Sequence, residues 1–147
     1  MARISETHDS AADPIRTRLA AAGAAILTVG AGLGLRSAAA GSVAAKYGGD
    51  ALYTLLLFTL VVLVAPRVTP LTAAAGTLTA SWAVEFLQLS EVPAELAQRS
   101  TVARFVLGST FNAPDLFWYV VGAASGWVIH TAMRSFSARR ETGTGHG

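Results

Sequence analysis

Residues 70–89, PLTAAAGTLTASWAVEFLQL, decide how the rest of the chain is read. At 1.5 Å per residue a helix of this length covers about 30 Å, the thickness of a bilayer's hydrocarbon core. Thr77, Ser81, Glu85 and Gln88 follow one another at spacings of four, four and three, which stacks them on one stripe of that helix. A charged side chain at bilayer depth costs about 2.5 to 3.5 kcal/mol on insertion scales, so a carboxylate held there faces protein or a water-lined space. The stretch predicts a membrane-crossing helix whose polar seam is turned toward companion helices.

Those companions lie on either side. Pro66-Arg67-Val68-Thr69-Pro70 leaves room only for a tight turn, so residues 51–65 form an antiparallel neighbour. That second segment follows Gly48-Gly49 and is short for a span unless its helix starts back near Ala44, which would draw Asp50 below the surface. Residues 19–35 and 116–133 supply a first and a fourth apolar segment. The expected fold is all-α: an integral membrane four-helix bundle over residues 18–134, with polar, mobile tails at 1–17 and 135–147. Within the link 90–114, the run Val102-Ala103-Arg104-Phe105-Val106-Leu107-Gly108 is too short to span and reads as an interfacial or re-entrant helix covering one end of the bundle.

Composition agrees. Of 147 residues, 52% are hydrophobic and 14% charged, and the mean hydropathy is +0.48, too apolar for an ordinary soluble domain. The isoelectric point near 9.5 rests on a formal charge of only +2, with basic residues flanking apolar stretches as topological anchors, so nucleic acid is not an expected partner. Arg3, Arg16, Arg18, Arg67, Arg134, Arg139 and Arg140 share the side of the termini, against Arg36, Lys46, Arg99 and Arg104 opposite; cytoplasmic termini in a plasma membrane follow. Arg16 and Arg18 before an apolar run, with Ala38-Ala39-Ala40 after it, resemble a signal peptide, but the run is long and Arg36 interrupts it, which favours a retained helix.

The absence of cysteine excludes disulfides, thiolate metal sites and cysteine nucleophiles. His8 and His146 lie in the tails and His130 stands alone, so no metal site is expected. No Gly-rich phosphate loop, nucleophile elbow or metalloprotease helix is present, and no cofactor or catalytic set is expected.

Antiparallel threading gathers the ionic side chains at one end. Arg36, Asp50, Glu85, Gln88, Arg99 and Asp115 are the candidate ligand-binding residues of an outward-facing charged pocket. Blander roles compete for each. Glu85 pairing with Arg36 or Arg99 would fix helix register and do nothing more. Asp50 and Asp115, each read at a helix start, would cap backbone N–H groups. Lys46 and Arg104 read as interfacial side chains reaching for water. Trp118, Trp127, Tyr47 and Tyr53 read as belt aromatics. Gly30-x-x-x-Gly34 and Gly122-x-x-x-Gly126 are candidate helix-packing faces, which chance in a Gly- and Ala-rich chain would also produce.

A longer pattern runs through these residues. Gly32-Leu33-Gly34-Leu35-Arg36, Lys46-Tyr47-x-Gly49-Asp50-Ala51-Leu52-Tyr53, Glu85-Phe86-x-Gln88-Leu89, Arg99, Leu107-Gly108, Phe111, Asp115-Leu116 and Tyr119-x-x-Gly122-x-x-x-Gly126 resemble the small bacterial membrane proteins grouped as domain of unknown function 2809 (DUF2809). That family is in turn similar to the VanZ-like proteins, with an acid opening the second helix, Glu-x-x-Gln ending the third and Asp opening the fourth. The resemblance implies a four-helix inner-membrane protein of the cell envelope and, for VanZ itself, a link to glycopeptide-antibiotic tolerance. It implies no reaction. Tyr53 stands where VanZ-like proteins often carry histidine, which argues against a histidine proton relay.

The expected function is non-enzymatic: membrane lipids surround the bundle, and the pocket binds an envelope lipid head group or an amphipathic glycopeptide. The rivals are a small proton-coupled transporter using Glu85, an intramembrane enzyme using Glu85 with Asp115, and a purely structural membrane subunit.

Overall fold

A computed structural model of the chain describes residues 13–108 and 110–143. Among them there are helices and turns and no strand: α1 Pro14–Ala38, α2 Val43–Val64, α3 Pro70–Leu87, α4 Val92–Arg99, α5 Thr101–Leu107 and α6 Ala113–Gly143. Residues 1–12 and 144–147 of the expected mobile tails lie outside the described residues, whereas residues 14–17 and 135–143 continue α1 and α6 as helix.

Local chemistry sets the helix starts. The Asp13 side chain accepts from the Ile15 N–H at 2.9 Å with Pro14 as first helical residue, and Thr69 accepts from the Thr72 N–H at 3.2 Å with Pro70 behind it. Gly41, at φ +77°, turns the chain between α1 and α2, and Ser42 caps α2 by accepting from the Ala45 N–H at 3.0 Å. This cap starts α2 at Val43, ahead of residue 51 and next to the alternative start near Ala44. Asp50 is therefore the eighth residue of α2, about 10 Å along its axis, and caps nothing.

Gly48 and Gly49 do not break the helix, and Gly48 has a packing role. A Cβ there would come within 2.5 Å of Leu35 Cδ2, so its bareness lets α1 close on α2. α6 packs against both α2 and α3, and α2 also touches α3. The link expected to hold one short helix holds two, α4 and α5, hinged at Ser100, which ends one and caps the next at Ala103 N–H.

Solvent exposure is inverted relative to a water-soluble bundle. Ile26 is 73% exposed, Leu27 75% and Val64 77%, while the largest fully buried side chains are Glu85, Thr54, Thr77, Pro93 and Ser81. Among the described residues three helices are long and apolar enough to cross a membrane: Pro14–Ala38, Val43–Val64 and Ala113–Phe136. This is one fewer than the sequence reading counted. α3, with 18 residues, is diluted by Thr72, Thr77, Thr79, Ser81 and Glu85 on a span of marginal length, about 27 Å.

Candidate functional site

The α3 stripe faces inward as its spacing predicts: Ala73, Thr77, Ser81 and Glu85 are all 1% exposed or less. α2 answers with a stripe of its own at spacings of four, Lys46, Asp50, Thr54 and Phe58. The two meet where Thr54 Oγ1 and Ser81 Oγ share a buried hydrogen bond of 3.1 Å. Thr77 donates back to the Ala73 carbonyl at 2.7 Å, so the lower seam satisfies itself.

One turn above Ser81, Glu85 is fully buried and held by two neutral donors. The Asn112 N–H donates to Oε1 at 2.5 Å and the Tyr119 hydroxyl to Oε2 at 2.9 Å. These two contacts tie α3 to the start of α6. Asp115, in the first turn of α6, accepts from Lys46 Nζ at 2.7 Å and from the Asn112 side-chain amide, so it joins α6 to α2 instead of capping its own helix. Trp82 Nε1 adds a bond to the Leu116 carbonyl at 3.2 Å.

The short helices close over this end. Gln88 Nε2 donates to the Leu107 carbonyl at 2.5 Å, and the Tyr53 hydroxyl to the Val106 carbonyl at 3.1 Å. α5 stops at Gly108, whose φ of +65° favours glycine and beside which the Gln88 amide lies, 2.6 Å from where a Cβ would be. Phe86 and Phe111 stack with centroids 6.3 Å apart on the same flank.

What these contacts enclose is an open cavity of about 440 Å³. Arg36, Asp50, Glu85, Gln88 and Asp115 all line it, so five of the six expected ligand residues come together. Arg99, in the last turn of α4, is not in its wall. Lys46, read as an interfacial side chain, is in the wall and in an ion pair, and Tyr53 and Tyr119 add hydroxyl-bearing rings with centroids 6.3 Å apart. Two acceptors, Asp50 Oδ2 and Gln88 Oε1, are cut off from solvent with no hydrogen-bond partner. Among the described residues no three His, Asp or Glu side chains are grouped to hold a metal ion.

Sequence reasoning gave Lys46 an interfacial role and missed Thr54 and the acceptor role of the Leu107 carbonyl. The spacing Lys46-Asp50-Thr54 was visible, but starting the helix at residue 51 split it. Of the supposed belt aromatics, Tyr47 and Trp118 stack on each other at 5.6 Å, joining α2 to α6.

The Gly122 and Gly126 face packs, though not against the glycines of α1. A Cβ on Gly122 would strike the Ala51 carbonyl oxygen, and one on Gly126 would lie 2.6 Å from the Phe58 ring, so both press on α2. At Gly30 and Gly34 an added Cβ would meet nothing within 4 Å among the described residues.

The molecule is thus an all-helical protein with apolar, membrane-capable helices and a charged cavity at one end of its bundle. It belongs to the family described as "Protein of unknown function (DUF2809)", whose model matches residues 40–123, more than half of the chain and all of the α2, α3 and α6 walls of the cavity. Neither the curated proteins nor the solved structures contain a match to it.

Proposed function

We propose that the protein is a four-span, VanZ-like protein of the bacterial plasma membrane, with cytoplasmic termini, and that its outward cavity binds the polar head of an envelope amphiphile without transforming it. The convergence of Arg36, Lys46, Asp50, Glu85, Gln88 and Asp115 on one cavity carries this reading. Packing alone does not need two cations and three carboxylates at one end of an apolar bundle, whereas a head group bearing both charges meets them through charge-assisted hydrogen bonds in a low-dielectric setting. On this reading α3 crosses the bilayer with its polar seam covered by α2 and α6, and α4 with α5 lies at the outer interface as the rim of the cavity. A lipid ligand reaches the cavity from the side; an amphipathic glycopeptide reaches it from outside.

Native mass spectrometry of the protein released from membranes tests this directly. Wild type is expected to retain an amphiphile that Asp50→Asn and Arg36→Lys lose, the second because a planar fork is exchanged for a point charge. Arg99→Lys, outside the wall, is expected to retain it. Equal retention by all four proteins would sink the reading. Cysteine labelling at residues 42 and 69 from the two sides of the membrane tests the orientation: residue 42 is expected to react from outside and residue 69 from inside.

A transporter reading draws on the polar line Glu85, Ser81, Thr54 and Thr77 running down from the cavity. The line is closed by its own hydrogen bonds, and reconstituted vesicles with Glu85-dependent proton flux would be needed to prefer it.

A further inference from the structure

Away from the charged cavity, at the end of the bundle where α1 begins, about 220 Å³ lies open between α1, α2 and α6. α1 packs along α2 but hardly touches α6, and the cavity lies in the gap between those two. Leu27 on α1 and Ile129 on α6 line it and are both exposed, so it opens sideways, toward the hydrocarbon of a bilayer. Its wall requires nothing polar. Thr28 and Thr59 donate to the Ala24 and Leu56 carbonyls, both at 2.7 Å, so their hydroxyls are satisfied within their own helices. His130 stands nearly perpendicular to the Phe58 ring, with Nδ1 closed off from solvent. From Thr17 to Thr28 the lined length of α1 is about 16 Å, which makes the space long and narrow. A helix, about 10 Å across with its side chains, does not fit, whereas a single hydrocarbon chain does. Without one, the walls forgo dispersion contacts on the open side.

Charge marks the end at which such a chain would be anchored. The cavity runs to Thr17 on α1 and Met133 on α6, whose sequence neighbours are Arg16, Arg18 and Arg134. All three arginines are exposed, and among the described residues none is in an ion pair. Arg67, in the turn after α2, is exposed at the same end. Asp13, the acid that opens α1, is occupied in capping it.

We propose that this cavity holds one acyl chain of an anionic phospholipid, with the lipid's phosphate among Arg16, Arg18 and Arg134. The apolar gap takes the chain and the arginines take the charge, as basic side chains beside a gap between spanning helices do for anionic head groups generally. A zwitterionic lipid fits the gap equally well but brings its own cation to the arginines. The site is separate from the polar cavity and does not depend on what that cavity binds.

The test places the full chain in nanodiscs of phosphatidylcholine and phosphatidylglycerol in equal amounts, and native mass spectrometry reads the lipid retained on release into mild detergent. Phosphatidylglycerol is expected to be retained over phosphatidylcholine by about tenfold or more, and Arg16→Gln, Arg18→Gln and Arg134→Gln each to lower that preference by up to about fivefold. Lysophosphatidylglycerol, with one chain, should be retained as well as the two-chain lipid, whereas glycerophosphoglycerol, with none, should not compete. Ala24→Phe puts a ring into the gap and should reduce retention of both lipids by about tenfold or more. Arg36→Lys, at the polar cavity, should leave it unchanged.

Equal retention of the two head groups would overturn the assignment of an anionic lipid. Competition by glycerophosphoglycerol would place binding on the arginines alone and take the chain out of the cavity. A loss with Arg36→Lys matching that with Arg134→Gln would move the lipid to the polar end. Retention of no lipid together with a dimer mass would make a second copy of the chain the occupant. The head-group and chain comparisons need no variant, so they stand even if Ala24→Phe does not fold.

Discussion

The same three helices, α1, α2 and α6, build two cavities of opposite character. Toward one end they join α3 and α5 around about 440 Å³ lined by charged and hydroxyl-bearing side chains. Toward the other they leave about 220 Å³ between them, lined by Ala20, Ala21, Ala24, Leu55, Phe58, Val62 and Ile129, with buried His130 in the wall. Gly122 lies against Ala51 and Thr54 of α2, and Gly126, in the wall of the apolar cavity, lies against Phe58. The polar end is held by directional bonds that name their partners, Glu85 to Asn112 and Tyr119, Asp115 to Lys46. The apolar end is held by shape, where small residues decide how near the helices come. In lipid, where hydrocarbon outside is as apolar as leucine inside, both kinds of contact are needed because burial alone drives little association.

Substitutions at each end separate these two modes. The largest effect is expected from Glu85→Leu, which strips the acceptor from two donors at once; at about 1 to 3 kcal/mol for each buried group left unsatisfied, the loss should be readable as a lower melting temperature in detergent. Combined with Tyr119→Phe, the two losses should add to less than their sum, because they share one bond. Next comes Gly122→Ala. Its Cβ meets backbone rather than a movable side chain, so α6 must shift, with an expected cost of about 1 to 3 kcal/mol. Were this variant as stable as wild type, the contact of α6 with α2 at Gly122 would not be as close as described.

Thr54→Val removes the buried bond to Ser81 and should cost about 1 kcal/mol by the same melting assay. The smallest effect belongs to Gly30→Ala. With open space around it, this change should leave stability unchanged or raise it by up to about 1 kcal/mol through helix propensity. A loss there comparable with that at Gly122 would mean that the exposed face of α1 has a partner of its own.

Much of the polar end was legible in the residues because regular spacing on a helix is a geometric statement. Thr77, Ser81 and Glu85 share a face wherever the helix is placed, and antiparallel threading carries Asp50, Gln88 and Asp115 to the same end. What misled the reading of α2 was Gly48-Gly49, taken as punctuation. A glycine in a helix is also a place where another helix comes close, and the sequence does not say which. Of the two candidate glycine faces, Gly122 and Gly126 pack on α2 while Gly30 and Gly34 meet nothing within 4 Å, since a bare face needs a partner at the right depth and angle. Arg99 was assigned to the cavity by charge sign, but its place depends on how α4 leaves α3, which the turn at residues 88–91 sets.

The sequence by itself determined that the chain is helical, that its helices are apolar enough for a membrane, and that one stripe of α3 is polar, because periodicity and hydropathy are local properties. Only the tertiary structure decided that Glu85 rests on neutral donors, that Lys46 answers Asp115, and that Asp50 and Gln88 are left with unpartnered oxygens. Those outcomes depend on which of several chemically equivalent partners the packing brings within about 3 Å, the range over which a hydrogen bond forms.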